Sequence, residues 1–388
     1  MHLFDNLDPA RLRDGHSLKW HHYPEGVLPL WVADMDFPTA GPILEALRDR
    51  LEYRLGYGLS GGHPPLLQAV ADWQARYGWA VDPAQVRLIS GVVPGLFAAA
   101  LALASAGDEV LVQTPIYPPF LGAVRSSGRT LRTASLGRDE QGYRVDIAAL
   151  EEQVTPATRL LMLCNPHNPT GRVFTRSELE ALAEFALRHR LWVVIDELHA
   201  DLVFDGQHIP LASLGPEIAE RTVTLTGPGK AFNIAGLGLG VAISSNPALL
   251  ERLQAPMMGL CPAPSVLSQA GALAAYLEGE SWLRETVAYL RGNRDLLGAF
   301  LNTHLPQVGY LPPEGTYLAW LDFGRYPFAE RAQQVMLEAG VGLNNGLDYG
   351  PEGAGFLRLN FATSRSLLQE ALERIERACR SETPAPLT

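Results

Sequence analysis

Lysine is nearly missing from this chain of 388 residues: of its 31 basic side chains only Lys19 and Lys230 are lysine, and the rest are arginine. Arginine serves as surface cation, carboxylate clamp or helix-end charge, but its guanidinium stays protonated and cannot become a nucleophilic amine. Cysteine is scarce as well. Cys164, Cys261 and Cys379 are far apart and odd in number, which argues against a disulfide framework or a metal site and for a reducing compartment. No Lys/Arg cluster could track phosphates, and with a net charge of -11 nucleic acid is an unsuitable partner, so small molecules are the expected ligands. Long apolar runs are absent too: GLFAAALALASAG (95–107) falls short of the roughly 20 residues that span a bilayer and reads as a buried helix. The first residues, MHLFDNLDPARLRDG, mix charged and apolar side chains and lack the apolar stretch of a signal peptide, so a cytoplasmic protein is expected. There is no internal repeat, and the last residues, SETPAPLT, read as a frayed tail.

What is present alternates. Short β-rich runs at 86–90, 109–114, 130–136, 159–164, 192–198, 222–227 and 240–245 are separated by helical patterns such as RSELEALAEFALRHR (176–190). Several runs are apolar at both alternating positions, as strands covered by helices on both faces must be, so the spacing predicts an α/β fold with a seven-stranded, mainly parallel sheet. Helical patterns dominate 246–305. A smaller α+β unit follows, with GYLPPEGTYLAWLDF, a helix at about 328–340, GFLRLNFAT and a last helix to Cys379. The expected division is 1–45 as an N-terminal arm and part of the small domain, 46–285 as the large domain and 286–388 as the small domain.

Lys230 stands in a Gly-rich apolar run, TVTLTGPGKAFNIAGLGLG (222–240), where a solvated charge would be out of place; a genome favouring arginine explains why lysine is rare, but not why this position kept one. Four features join it. In CNPHNPTGRVF (164–174), Asn168 follows a strand into a turn at the carboxyl end of the sheet, where ligands bind in open α/β sheets, although NPTG also makes a generic turn. In VVIDELHADLVF (193–204), Asp196 ends an apolar strand and needs a partner, either a protonated heterocyclic nitrogen or an arginine or backbone amides. Asp196, His199 and Asp201 suggest a metal only weakly, because no second ligand cluster supports one. In SGVVPGLFAAALALA (90–104), a strand leads through Val92 and Val93 into a helix whose first N–H groups could seat a phosphate. In GFLRLNFAT (355–363), Arg358 interrupts an apolar strand, as a carboxylate clamp or an interdomain salt bridge. Together a Schiff-base lysine, a carboxylate for a ring nitrogen, an amide for a ring hydroxyl, a phosphate seat and a clamp describe a pyridoxal phosphate enzyme acting on an amino acid.

The order NPHNPTG, DELH, GKAFN, FLRLNF resembles the fold-type I, class I and II aminotransferases. Within them KW (19–20), WVADMDF (31–37), GYG (56–58), GVVP (91–94), TPIYPPF (114–120), CNPHNPTGRV, DELHADLV and KAFNIAGL resemble the MalY/PatB branch of cystathionine β-lyases, or C–S lyases, over nearly the whole chain. The resemblance implies pyridoxal 5'-phosphate held by Lys230, with Tyr117 stacked on its ring, Asn168 and His199 on its hydroxyl side, and Asp196 at its pyridinium. Val92, Val93 and Thr226 would serve the phosphate. Arg358 would bind the substrate carboxylate, Asp34 would also contact the substrate, and Tyr57 would cross to the phosphate of a neighbouring subunit, which makes a homodimer. The sequence departs from the family at Gly229, where a serine usually stands, and at Gly238, where many relatives carry arginine. The implied reaction is α,β-elimination from a cysteine S-conjugate. Transamination would use the same residues and is the alternative, and a cofactor-binding regulatory protein, suggested by the glycines near Lys230, is a second.

Overall fold

The computed structural model describes residues 3–59 and 61–382, so all of the expected tail except Ser381 and Glu382 lies outside the described residues. All seven expected strands form one sheet: β1 (Val86–Ile89), β2 (Glu109–Thr114), β3 (Thr130–Ser135), β4 (Thr158–Cys164), β5 (Trp192–Asp196), β6 (Thr222–Thr226) and β7 (Gly240–Ile243). Their order is β1-β7-β6-β5-β4-β2-β3, and only β7 runs antiparallel to its neighbours. The apolar runs explain the layering. In β4, Leu160, Met162 and Cys164 pack into one core while Leu161 and Leu163 pack into another on the opposite face.

Helices cover both faces. The apolar stretch at 95–107 lies mostly in α1 (Val92–Leu103), with Leu96, Ala98, Ala99 and Ala100 buried against the sheet. Helix α2 (Arg176–Arg188) begins at a capping box in which Thr175 accepts from the Glu178 amide and Glu178 accepts from the Thr175 amide. Then come α3 (Val266–Glu278) and α4 (Glu280–His304). The boundary expected at 286 falls inside α4, whose Leu283 packs with the large unit and whose Leu290, Leu297 and Leu301 pack with the small one.

The small unit has an antiparallel sheet of β8 (Gly309–Tyr310), β9 (Leu318–Asp322), β10 (Asn344–Asn345) and β11 (Phe356–Asn360), in the order β8-β9-β11-β10, and a last helix, α5 (Arg365–Ser381). The helix expected near 328–340 is a 3-10 turn, Ala329–Arg331, followed by helix Ala332–Glu338. Phe4, Trp20, Leu30, Met35 and Phe37 join this unit's core, so the N-terminal arm is packed rather than loose. It is pinned where Leu28–Pro29 pairs in parallel with Val341–Gly342.

The sheet sets the site. Strands β4, β5 and β6 are adjacent and parallel, with Cys164 beside Asp196 and Asp196 beside Leu225 in register. Their carboxyl ends therefore deliver Asn168, Asp196 and Lys230 to one edge of the sheet, while β11 brings Arg358 from the small unit.

Candidate active site

Lys230 follows β6 by one turn, and its Nζ donates to the Ala33 carbonyl at 2.6 Å. Burial holds its ammonium below the usual lysine range; Asp34 and Asp196 oppose that shift and Arg358 adds to it. Asp196, the last residue of β5, is 6% exposed. Burial pushes its carboxyl up to about 7, although the Leu198 amide at 2.9 Å and Lys230 pull it down. Backbone amides are thus only part of what this carboxylate needs, and no arginine pairs with it among the described residues.

His199 is buried and held neutral, its pKa lowered to about 3 by burial and by the charges of Lys230 and Arg358. Its Nδ1 has no hydrogen-bond partner, and its ring meets Tyr317 edge-on, centroids 5.8 Å apart. Tyr117 caps the start of helix Pro118–Ser126, and burial raises its phenol, with Arg358 and Asp196 acting on it as nearby charges. Asp34 also lies in this field: burial raises it, and Lys19 and Lys230 lower it.

Arg358 is 3% exposed and makes three hydrogen bonds, all to neutral oxygens: Asn168 Oδ1 at 2.9 Å, the Trp31 carbonyl at 2.8 Å and Asn344 Oδ1 at 2.8 Å. Its Nε has no partner. The interdomain salt bridge is therefore overturned, since no carboxylate pairs with Arg358 among the described residues. The guanidinium and the Asn168 amide, expected to act separately, are joined directly. Sequence reasoning missed Asn344, Tyr317 and the role of the Trp31 carbonyl; Asn344 sits opposite Arg358 in the β10–β11 pairing, a relation only the register reveals.

Val92 and Val93 open α1 after Gly91, whose φ of 143° suits glycine, and the first intrahelical bond runs from the Gly95 amide to the Gly91 carbonyl at 3.2 Å. Their N–H groups precede that bond and remain available for an anion. The Thr226 hydroxyl, buried beside them, donates to the Glu197 carbonyl at 3.3 Å. Gly238 has a left-handed φ of 63°, which suits glycine better than the arginine of relatives. Tyr57 is fully exposed. Asp201 turns away as well, accepting from Trp73 Nε1 at 2.8 Å and from Tyr77.

These residues fit pyridoxal phosphate. A buried acid has no ion-pair partner among the described residues, a neutral imidazole nitrogen lacks a hydrogen bond, a depressed amine shares their field, and two amides at a helix start precede the first intrahelical bond. Lys230 would carry the aldehyde carbon, Asp196 the ring nitrogen, and Val92 and Val93 the phosphate.

Comparison with known proteins agrees with this geometry. A family model described as aminotransferase class I and II matches residues 26–375. The cystathionine β-lyase PatB of Bacillus subtilis strain 168 is 40% identical, over 96% of this chain and 99% of its own. The arginine–pyruvate transaminase AruH of Pseudomonas aeruginosa is 34% identical, over 90% of this chain and 89% of its own. The crystal structure of a putative PLP-dependent β-cystathionase from Corynebacterium diphtheriae superposes with a TM-score of 0.90 at 36% identity, covering 97% of this chain and 99% of its own. With the sheet, the strand-end lysine and these likenesses in hand, the chain belongs to the aminotransferase class I and II family and has the fold-type I architecture of pyridoxal phosphate enzymes.

Proposed function

We propose that this chain is a pyridoxal phosphate-dependent carbon–sulfur β-lyase, cleaving cystathionine or related cysteine S-conjugates to pyruvate, ammonia and a thiol, and working as a cytoplasmic homodimer. The observation that carries the amino-acid half is Arg358, a buried cation with only neutral partners. Such a charge is costly until an anion completes it, and a substrate carboxylate matches its fork. The carbon–sulfur half rests on likeness to proteins named cystathionine β-lyase or β-cystathionase.

Bound pyridoxal phosphate supplies an electron sink for the charge left when the substrate's α-proton departs. Arg358 holds the carboxylate and so aims the α-carbon. Lys230, its amine made more available as a neutral base by burial, accepts the α-proton. Asp196 keeps the ring nitrogen protonated, and that cation in turn stabilises the carboxylate burial would otherwise neutralise. With the cofactor bound, Tyr117 would pack on the ring, Asn168 and His199 would serve its hydroxyl side, Asp34 would meet the substrate, and Tyr57 would reach across to the phosphate of the second subunit. Expulsion of the β-thiolate then leaves a three-carbon product that hydrolyses to pyruvate and ammonia.

An aminotransferase is the second reading, favoured by the likeness to AruH, because the same residues could return the proton elsewhere. Incubation with cystathionine alone separates the two. Pyruvate, ammonia and thiol should appear in equal amounts without an oxo acid; a requirement for an oxo acid, with new amino acid formed and no thiol, would move the assignment to the transaminase.

A further inference from the structure

The chain's only two lysines converge on one segment, Trp31–Phe37, and hold consecutive carbonyls of it. Lys230 Nζ takes the Ala33 carbonyl at 2.6 Å, and Lys19 Nζ takes the Asp34 carbonyl at 3.0 Å. Lys19 is 1% exposed and forms a buried ion pair with Asp36, 2.9 Å to Oδ2, while Asp36 Oδ1 accepts from Trp20 Nε1 at 2.7 Å. The rest of the segment is tied in the same way. The Trp31 carbonyl is held by Arg358 and that of Val32 by Asn360 Nδ2 at 2.7 Å; Asn360 also takes the Asp34 carbonyl at 2.7 Å. The Ala33 carbonyl accepts a second proton from Tyr317 Oη at 3.0 Å.

Hydrogen bonds must do this holding because packing does not do all of it. Asp34, Met35, Asp36 and Phe37 line a cavity of about 820 Å³, whose other walls include Asn6, Leu7 and Asp8 of the N-terminal arm. A segment with a cavity along it can shift, and a peptide plane that tilts carries its carbonyl with it. Ala33 and Asp34 belong to successive planes, so a grip on the Asp34 carbonyl restrains the direction of the one before it. Arginine is no substitute here: its planar fork is longer and cannot place a single point donor between a carbonyl and a carboxylate in so small a space.

We propose that Lys19, paired with Asp36, is a positioning residue: it fixes the Ala33 carbonyl as the acceptor that orients the Lys230 amine. A carbonyl can accept an N–H but cannot give or take a proton. A neutral amine donating to it therefore has its lone pair turned aside from the carbonyl. Lys230 loses aim, not chemistry, when the carbonyl drifts, and misplacement by about 1 Å can cost on the order of a hundredfold in rate. The orienting half of this statement stands by itself; the rate half rests on Lys230 being the base of the proposed lyase.

Trace acylation with acetic anhydride tests the orienting half in cofactor-free protein. Only two ε-amines are present, and Lys19→Met leaves Lys230 alone, so its labelling can be read by peptide mass without background. With circular dichroism unchanged, Lys230 in Lys19→Met should label severalfold faster than in the parent. In the loaded enzyme kcat should fall between about tenfold and a hundredfold while KM stays within about twofold. Lys19→Arg should restore neither. Parental labelling of Lys230 in a folded Lys19→Met protein would overturn the proposal, as would a loss confined to thermal stability with kcat intact. If Lys19→Met does not fold, Asp36→Asn, which keeps an oxygen for Trp20, is held to the same two outcomes. Faster labelling in the variant together with a parent that cleaves no cysteine conjugate would uphold the orienting role and sink the lyase reading instead.

Discussion

At Asp196, burial lifts the carboxyl from an ordinary 3.8 to about 7, and this has a consequence for stability before any chemistry. An acid whose folded value lies above its unfolded one holds an extra proton in the folded state between those two values, so its contribution destabilises the fold increasingly as pH rises through that window. Cofactor-free Asp196→Asn should therefore gain melting temperature over the parent at pH 8 and gain little at pH 4; an equal difference at both, measured by calorimetry, would show that the carboxyl is not raised. Loaded with cofactor the sign reverses, and Asp196→Asn should retain the cofactor but lose most turnover, because an amide holds a protonated ring nitrogen poorly. Arg358 is argued likewise from its surroundings. Arg358→Ala leaves Asn168 and Asn344 without their donor and the substrate without its fork, a loss on the order of 2–4 kcal/mol, so KM should rise by roughly thirtyfold or more. Steady-state kinetics showing KM within twofold of the parent would remove Arg358 from the clamp.

Strands were the most legible elements, for a physical reason. The inner strands β2, β4, β5, β6 and β7 are buried on both faces, and β4 and β5, apolar at nearly every residue, declare themselves without help from their neighbours, whereas the edge strand β3 is largely exposed. The residues that end those strands were legible for the same cause: Asp196 breaks an apolar run, and Lys230 is a charge in a Gly-rich one. Elements held by tertiary contacts were harder to read. The boundary expected near 286 lies within α4, which runs through it without a break and hands its apolar face from one core at Leu283 to the other at Leu290 without altering its period. The contact of the Thr226 hydroxyl with the Glu197 carbonyl, between two adjacent strand ends, is one that no local pattern announces. Lys19 was visible from the start as one of two lysines, but nothing local said that its ammonium would be sealed against Asp36 seventeen residues away. Only the folded arm supplies that contact.

As a whole the chain carries two exposed apolar runs, Leu51, Tyr53, Leu55, Tyr57 and Leu59 in one and Met258 and Leu260 in the other, and such surfaces suit burial against another protein. Tyr57, fully exposed within the first run, accords with the proposed second copy. Light scattering should give twice the chain mass of 42.2 kDa, and Tyr57→Ala should stay dimeric yet lose cofactor faster on dialysis. A monomer with full activity would dispose of the shared site. No helix among the described residues is long and apolar enough to cross a membrane. The scarcity that marks the whole molecule also makes its central claim easy to test, since 388 residues offer only Lys19 and Lys230 as ε-amines. Borohydride reduction of the loaded protein followed by peptide mapping should fix the pyridoxyl mass on the peptide that contains Lys230; that mass on the Lys19 peptide, or on neither, would contradict the account.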